Sequence, residues 1–360
     1  MQDHFFDLSK IGANDEVYKQ LEPYAARGLV LGRVSVVHRE QYRLYTTEGE
    51  MKASAIGALL YRAVDAAEWP AVGDWVASQI VGPEEAMIHA VLPRKTVFSR
   101  RAAGDREREQ VIAANIDLVL VVCGLDNDFN LRRIERYLIL ARESGAGAAI
   151  VLNKADLCSE PQARIVEVIQ IAAGAPVVSI CARSAEDIDP IVALIGDCRT
   201  VALLGSSGVG KSTLVNQLLG EERQPVQDVR ASDSRGRHTT TWRELSPLPR
   251  GGAIIDTPGM RELQLWAGQG SLDSAFDDIA GLASQCRFRD CAHGTEEGCA
   301  VQSAILEGVL DGERWQSYQK LRAEVAWHER KTDVSAALAQ KRRWKKIHKE
   351  MRVHKNQNRW

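Results

Sequence analysis

The stretch Gly205-Ser206-Ser207-Gly208-Val209-Gly210-Lys211-Ser212 constrains this chain more than any other. It matches the phosphate-loop pattern G-x-x-x-x-G-K-[ST] at every fixed position. Thr200-Val201-Ala202-Leu203-Leu204 before it reads as a buried strand, and Thr213 to Leu219 after it as a helix. The motif needs that strand–loop–helix setting. Its glycines let the backbone wrap close to phosphate oxygens, and the helix N-terminus adds a partial positive charge. Lys211 is expected to reach the β- and γ-phosphates and Ser212 to ligate Mg²⁺. Gly205 to Gly210 and Thr213 complete the expected phosphate-binding set. The alternative is a glycine-rich turn that binds nothing, against which the strand–loop–helix context and the full motif match count.

The surrounding pattern alternates strand and helix. Ile116 to Val122, Ala148 to Leu152, Pro176 to Ile180 and Gly252 to Asp256 are short apolar runs, as buried parallel strands require. Asn130 to Leu140, Ala163 to Ala173 and Asp189 to Ile195 have helical spacing. This predicts a doubly wound α/β sheet. Asn153-Lys154-Ala155-Asp156 directly follows one strand. Such a motif reads guanine: Asp156 can accept from the ring N1–H and the exocyclic amine, whereas adenine offers that edge an unmatched acceptor. Ser179 to Ala182, after the next strand, is placed to add a backbone contact to the base. Asp256-Thr257-Pro258-Gly259 follows another strand. Asp256 is expected at the Mg²⁺, and the Gly259 N–H at the γ-phosphate, whose loss it would sense. Between the phosphate loop and the Asp256 strand, Asp233 to Thr241 is a polar, Gly-containing loop suited to a mobile switch, with Thr240 the expected Mg²⁺ ligand. Here the base-reading motif precedes the phosphate loop. That order fits one sheet only if the chain is circularly permuted, and it runs the Asp256 switch straight into the C-terminal region.

Outside this domain the reading is coarser. Residues 1–28 form an N-terminal extension with an amphipathic stretch, Asp15 to Leu21, of no evident function. From Leu29 the pattern turns β: Leu29–Val37, Tyr42–Thr47, Met51–Arg62, Asp74–Val81 and Ala86–Leu92. Close turns between short strands predict a small closed barrel over 29–93, of which the oligonucleotide-binding (OB) barrel is one kind. Arg94-Lys95 and Arg100-Arg101 read as a basic linker opening the 94–268 domain. Beyond it, 269–360 carries Cys286, Cys291, His293 and Cys299 in the spacing C-x4-C-x-H-x5-C, then a helical tail from about Glu313. Three thiolates and one imidazole fill a tetrahedral shell and leave no position for catalytic water, so one structural Zn²⁺ is expected. Lys341 to Arg359 is strongly basic within a chain whose net charge is only −2, which points the tail at nucleic-acid phosphate or leaves it a solvated run. Seven cysteines, an odd number, with no export signal or membrane-length apolar run, predict reduced thiols in the cytoplasm and no membrane partner.

Taken together, Gln110 to Asp117, Asn153 to Asp156, Gly205 to Ser212, Gly236 to Thr240, Asp256 to Gly259 and the Cys/His cluster resemble the RsgA (YjeQ/YloQ) family of circularly permuted GTPases. The resemblance implies a multidomain α/β protein: an N-terminal OB-type barrel, a central permuted P-loop GTPase and a C-terminal zinc-binding helical domain. It implies a monomer that binds GTP and GDP. It also implies late maturation of the small ribosomal subunit through contact with its rRNA, with particle-stimulated hydrolysis driving release. At the position after Gly259, where small GTPases place a water-orienting glutamine, this chain has Met260, which cannot orient water. The family resemblance then points to the switch histidine, His238, as catalytic. Two other readings compete. One is a nucleotide-gated rRNA scaffold with incidental hydrolysis, which Met260 favours; the other is a zinc-containing DNA-binding ATPase, which Asn153 and Asp156 oppose.

Overall fold

The computed structural model describes residues 6–38, 41–62, 66–101, 109–197, 199–221, 243–256, 272, 275–294 and 296–326. The chain divides into two units, Met1–Gln264 and Leu265–Trp360. His238, Thr240, Gly259, Met260 and the tail Lys341 to Arg359 lie outside the described residues.

The first unit opens with a 3-10 turn, Leu8–Ile11, and helix α1, Asp15–Ala25. Asp7 caps the turn and Asn14 caps the helix, its side chain accepting from the Val17 N–H at 3.1 Å. Leu8 and Ile11 are fully buried. Phe6 stacks on Tyr45 of the barrel at 4.9 Å, and the Lys10 carbonyl accepts from the Gly252 N–H at 3.0 Å. The extension is therefore a packed strap joining the barrel to a turn of the larger sheet.

The barrel consists of β1 (Val30–His38), β2 (Gln41–Thr46), β3 (Gly49–Ala55), β4 (Trp75–Gly82) and β5 (Glu85–Val91). Strand order β1-β2-β3-β5-β4 closes through a β1–β4 pairing, with β3 and β5 parallel. This is a five-stranded OB-like barrel. Alternation puts Val34, Tyr42, Leu44, Met51, Val76 and Ile88 inside. The expected strand Met51–Arg62 is corrected: it ends at Ala55, and helix α2 takes Gly57–Arg62. A parallel β3–β5 pair needs a crossover connection, and the Ala58-Leu59-Leu60 run lacks strand alternation and favours helix.

The expected basic linker is also corrected. Residues 97–101 form β6 (Val97–Arg101), an antiparallel ribbon with β7 (Glu109–Ala114). Arg94 grips the fully buried Asp74 with two bonds, Nε to Oδ1 at 2.8 Å and Nη2 to Oδ2 at 2.7 Å. Burial pushes the Asp74 carboxyl up and Arg94 works against that. Beside it Arg33, also buried, stacks on Trp75 at 4.6 Å and donates to the carbonyls of Gly73 and Asn115. Burial pulls its pKa down to about 10, so it stays charged at neutral pH. Arg33 so ties the barrel to the segment that follows β7, and Arg94 holds the start of the following chain to Asp74.

That sheet holds β8 (Leu118–Gly124), β9 (Gly147–Asn153), β10 (Val177–Ser179), β11 (Thr200–Leu204), β12 (Glu244–Pro247) and β13 (Ala253–Asp256). Its order is β10-β9-β8-β11-β13-β12, parallel except for β12. The helices are α3 (Leu131–Glu143), α4 (Pro161–Ile171), α5 (Asp189–Ile195) and α6 (Lys211–Leu219). One core packs β8, β9 and β11 against α5 and α6 through residues such as Leu120, Val151, Ile191, Val201 and Leu214. The barrel joins the sheet where Val36 of β1 pairs with Glu244 of β12. Five parallel strands end at one edge, at Gly124, Asn153, Ser179, Leu204 and Asp256, where open α/β sheets bind ligands.

In the second unit, α7 (Asp277–Ala283), α8 (Ala300–Leu306) and a helix over 312–326 surround a small core with Phe276, Ile279, Val301, Trp315, Leu321 and Val325. Arg314 lies over the Phe276 ring at 4.7 Å and pairs with Asp278 at 2.7 Å. Among the described residues no helix is long and apolar enough to cross a membrane.

Candidate functional site

The loop between β11 and α6 is shaped by its glycines. Gly208 and Gly210 have φ of 80° and 95°, where side chains are strained. A Cβ on Gly210 would lie 2.2 Å from the Asn153 Nδ2, and one on Gly205 2.4 Å from the Val122 carbonyl oxygen. The loop is therefore pressed onto its neighbours. The Lys211 ammonium folds back over it and donates to the Gly205 carbonyl at 2.8 Å and to the Ser206 carbonyl. Ser206, Ser212 and Thr213 are half-buried, while Ser207 and Gly208 are exposed.

Asn153 ties three loops together. Its side-chain amide donates to the Val209 carbonyl at 2.7 Å, and its Oδ1 accepts from the Ala182 N–H at 2.9 Å. The residue is 3% exposed, so its two bonds are structural necessities. Ala155 N–H donates to the Ile180 carbonyl at 3.1 Å, which draws the Ser179–Ala182 loop against the same motif. Asp156 sits in a 3-10 turn, Ala155–Leu157, with its side chain in solvent. Asp256 ends β13 half-buried, opposite Glu244.

Three residues escaped the sequence reading. Lys154 Nζ donates to Asp126 Oδ2 at 2.6 Å. Ser206 Oγ donates to Asp128 Oδ2, and Arg133 Nη1 pairs with Asp128 Oδ1 at 2.6 Å. Burial pushes the Asp126 carboxyl up, but Lys154 and the Asp128 amide outweigh it and hold it below the usual carboxylate range. The Asp128 bond raises Arg133 above its ordinary value. Asp126 and Asp128 lie in Asp126-Asn127-Asp128-Phe129-Asn130, which in sequence is indistinguishable from a turn and helix cap.

In the second unit the four expected metal ligands converge, their donor atoms all within 4.8 Å of one another. His293 Nδ1 lies 3.4 Å from Cys286 Sγ and 3.6 Å from Cys299 Sγ, and those two sulfurs are 4.0 Å apart. Tetrahedral zinc with Zn–S near 2.3 Å sets its sulfurs about 3.8 Å apart, so the donor set fits. Burial, then the neighbouring thiols of Cys299 and Cys286, hold the Cys291 thiol up at about 11; a dication removes that obstacle. His293 has φ 58° and Gly298 φ 76°, tight turns that bring the ligands round. Cys299 caps α8, and Gln302 Nε2 donates to the His293 carbonyl at 2.8 Å. The ring of His293 meets Trp315 edge-on at 5.6 Å.

A phosphate loop, a guanine-type base motif held to it by Asn153, and permuted strand order define a circularly permuted P-loop GTPase. Comparison with known proteins narrows that class. The RsgA GTPase family model matches residues 91–266, and a model described as 50S ribosome-binding GTPase matches 200–357. A small ribosomal subunit biogenesis GTPase RsgA of Opitutus terrae is 45% identical, over 98% of this chain and 99% of its own. Another of that name from Syntrophotalea carbinolica is 43% identical, over 95% and 96%. The crystal structure of YjeQ from Thermotoga maritima superposes with a TM-score of 0.61 at 25% identity, covering 83% of this chain and 99% of that one. YloQ, described as a circularly permuted GTPase, gives a TM-score of 0.59 at 21% identity over 83% of this chain and 95% of that one, a likeness of fold. The chain belongs to the RsgA family of GTPases.

Proposed function

We propose that this chain hydrolyses GTP to GDP and phosphate on the small ribosomal subunit, assisting its late maturation and leaving on hydrolysis. The observation that carries the guanine-nucleotide half is the Asn153 bridge, which sets a base-reading motif and a phosphate loop at one sheet edge. The particle comes from relatives aligned over nearly their whole length, named for small-subunit biogenesis. The family description naming the 50S subunit covers only 200–357 and is outweighed by them.

In this reading Asp156 accepts from the guanine edge and Lys154 lies beside it. The N–H groups of Gly205 to Gly210 face the phosphates, with Lys211 neutralising them once it leaves its loop carbonyls. Ser212, Asp256 and, outside the described residues, Thr240 would hold Mg²⁺, while Thr213 would serve the phosphates and Gly259 the γ-phosphate. Mg²⁺ there would supply charge neutralisation of the phosphate oxygens. Zn²⁺ at Cys286, Cys291, His293 and Cys299 serves structure alone, since the four ligands leave it no open position. We place the protein in the cytoplasm as a monomer, with rRNA phosphate contacts carried in part by Lys341 to Arg359. Truncation before Lys341 should flatten the salt dependence of subunit binding; an unchanged slope returns the tail to a solvated run.

We assign His238 to holding the attacking water. GTP turnover should rise steeply when purified small subunits are added. His238→Ala should lose most of that stimulation, ~10²-fold, with GTP affinity near normal. Stimulated turnover that survives in the variant removes His238 from the role. An unaltered chain that subunits do not stimulate favours the nucleotide-gated scaffold instead.

A further inference from the structure

We propose that the loop from Gly124 to Asn130 is a positioning element of the nucleotide site. Asp126 fixes the Lys154 side chain, Asp128 fixes the Ser206 hydroxyl, and together they slow the release of guanine nucleotide. The inference rests on the guanine-nucleotide reading of Asn153–Asp156 and extends it to residues outside every nucleotide motif.

The loop starts at the base-reading motif. Gly124 pairs with Asn153 across the β8–β9 ladder, and the Leu125 N–H donates to the Asn153 carbonyl at 2.8 Å. It ends at Asn130, which caps α3 by accepting from the Arg133 N–H at 3.0 Å. Between these anchors the chain folds tightly. The Phe129 N–H donates to the Asp126 carbonyl at 3.0 Å and the Asp128 N–H to Asp126 Oδ1 at 3.2 Å. A Cβ on Gly124 would stand 2.5 Å from that same Oδ1, so a side chain there would push the folded-back carboxylate aside. Arg164 of α4 covers the Phe129 ring at 4.8 Å.

Of the three remaining carboxylate oxygens, one reaches each nucleotide motif and the third pairs with Arg133. Asp126 Oδ2 takes the Lys154 ammonium at 2.6 Å. Lys154 has φ 64°, a backbone setting rare for a lysine, so its side chain leaves the strand end in an imposed direction and is then held at its tip. Asp128 Oδ2 takes the Ser206 hydroxyl, and its other oxygen takes Arg133 at 2.6 Å. All four of these charged side chains are between 21% and 34% exposed, so the pairs are shielded enough to hold. Carboxylates beside a phosphate loop repel a polyanion unless matched. Here each is matched by one cation, Lys154 or Arg133, which leaves geometry as their net contribution. Side chains ordered before the nucleotide arrives need not be ordered by it, and such preorganisation is read mainly in the off-rate.

The test is stopped-flow dissociation of N-methylanthraniloyl-GDP from the full chain. Asp126→Asn, Lys154→Met, Asp128→Asn and Ser206→Ala should each release it about tenfold faster, the size of one charge-assisted hydrogen bond. The doubles Asp126→Asn/Lys154→Met and Asp128→Asn/Ser206→Ala should be no faster than the faster single, because each pair breaks one bond. In Asp126→Asn and Asp128→Asn, which lie outside the nucleotide motifs, KM for GTP should rise while kcat stays within about twofold. Singles within about twofold of the unaltered chain, or doubles whose effects multiply, overturn the proposal. If Asp128→Asn does not fold, Ser206→Ala reads the same bond from its other end. An unaltered chain that retains no labelled GDP removes the guanine-nucleotide reading itself; one that retains it normally, with unaffected variants, removes only the role of the loop.

Discussion

Asp156→Asn should weaken GTP binding by about two orders of magnitude while leaving the folded chain as stable as before. The carboxylate accepts from two guanine donors, the ring N1–H and the exocyclic amine. An amide keeps one acceptor and turns a donor pair toward them. Hydrogen bonds to charged groups contribute about 1.5–3 kcal/mol each, and a mismatched donor adds its own desolvation cost. Asp156 itself stands in solvent on a short 3-10 turn, and substitutions at such positions usually move stability by no more than about 0.5 kcal/mol. The same change should raise affinity for xanthosine triphosphate, whose ring carries a carbonyl where guanine carries the amine. Titration calorimetry with both nucleotides, beside a melting curve, separates the outcomes. Equal GTP affinity in the variant would take Asp156 out of the base site. A loss of GTP affinity accompanied by a large drop in melting temperature would make it a structural residue.

Much of the nucleotide half was legible because its elements are long, apolar and punctuated by motifs. Thr200–Leu204 and Asp189–Ile195 have in the structure the bounds that spacing predicts. What escaped was of three kinds. β12 (Glu244–Pro247) is four residues with a proline at its end, too short to show a period, and it forms by pairing with β13 and β1. The α2 helix hid in an apolar run that continues a strand, and only the parallel pairing of β3 with β5 demands it. Arg94 looked like linker charge because its partner, Asp74, is twenty residues earlier and fully buried. Asp126 and Asp128 were missed for a related reason. Their partners, Lys154 and Ser206, are 28 and 78 residues away, and contacts across a sheet edge leave no local pattern. The metal cluster was legible from spacing alone, since a tetrahedral donor set of cysteines and histidine has few other uses.

Cys291→Ser should strip the metal from the second unit and unfold its knuckle, with the GTPase fold intact. Structural zinc binding supplies about 10–16 kcal/mol of apparent free energy in small domains, as large as the whole stability of a typical fold at about 5–15 kcal/mol. The described core of this unit is small, and its Trp315 packs directly on the ligand His293. The cap of α8 is the ligand Cys299, and the His293 carbonyl holds Gln302. Losing one ligand therefore loosens a helix start and the aromatic stack together. Serine keeps the shape of cysteine but, as a neutral hydroxyl, is a poor ligand for a soft dication. Elemental analysis of the purified chain should find one zinc, and the variant far less than one. Calorimetric melting should show a transition lost or shifted down by tens of degrees. Nucleotide affinity should stay within about twofold, because Asn153, Asp156 and the phosphate loop lie in the other unit. An unaltered chain without zinc would sink the metal reading, and a variant that kept both its zinc and its melting profile would remove Cys291 from the ligand set.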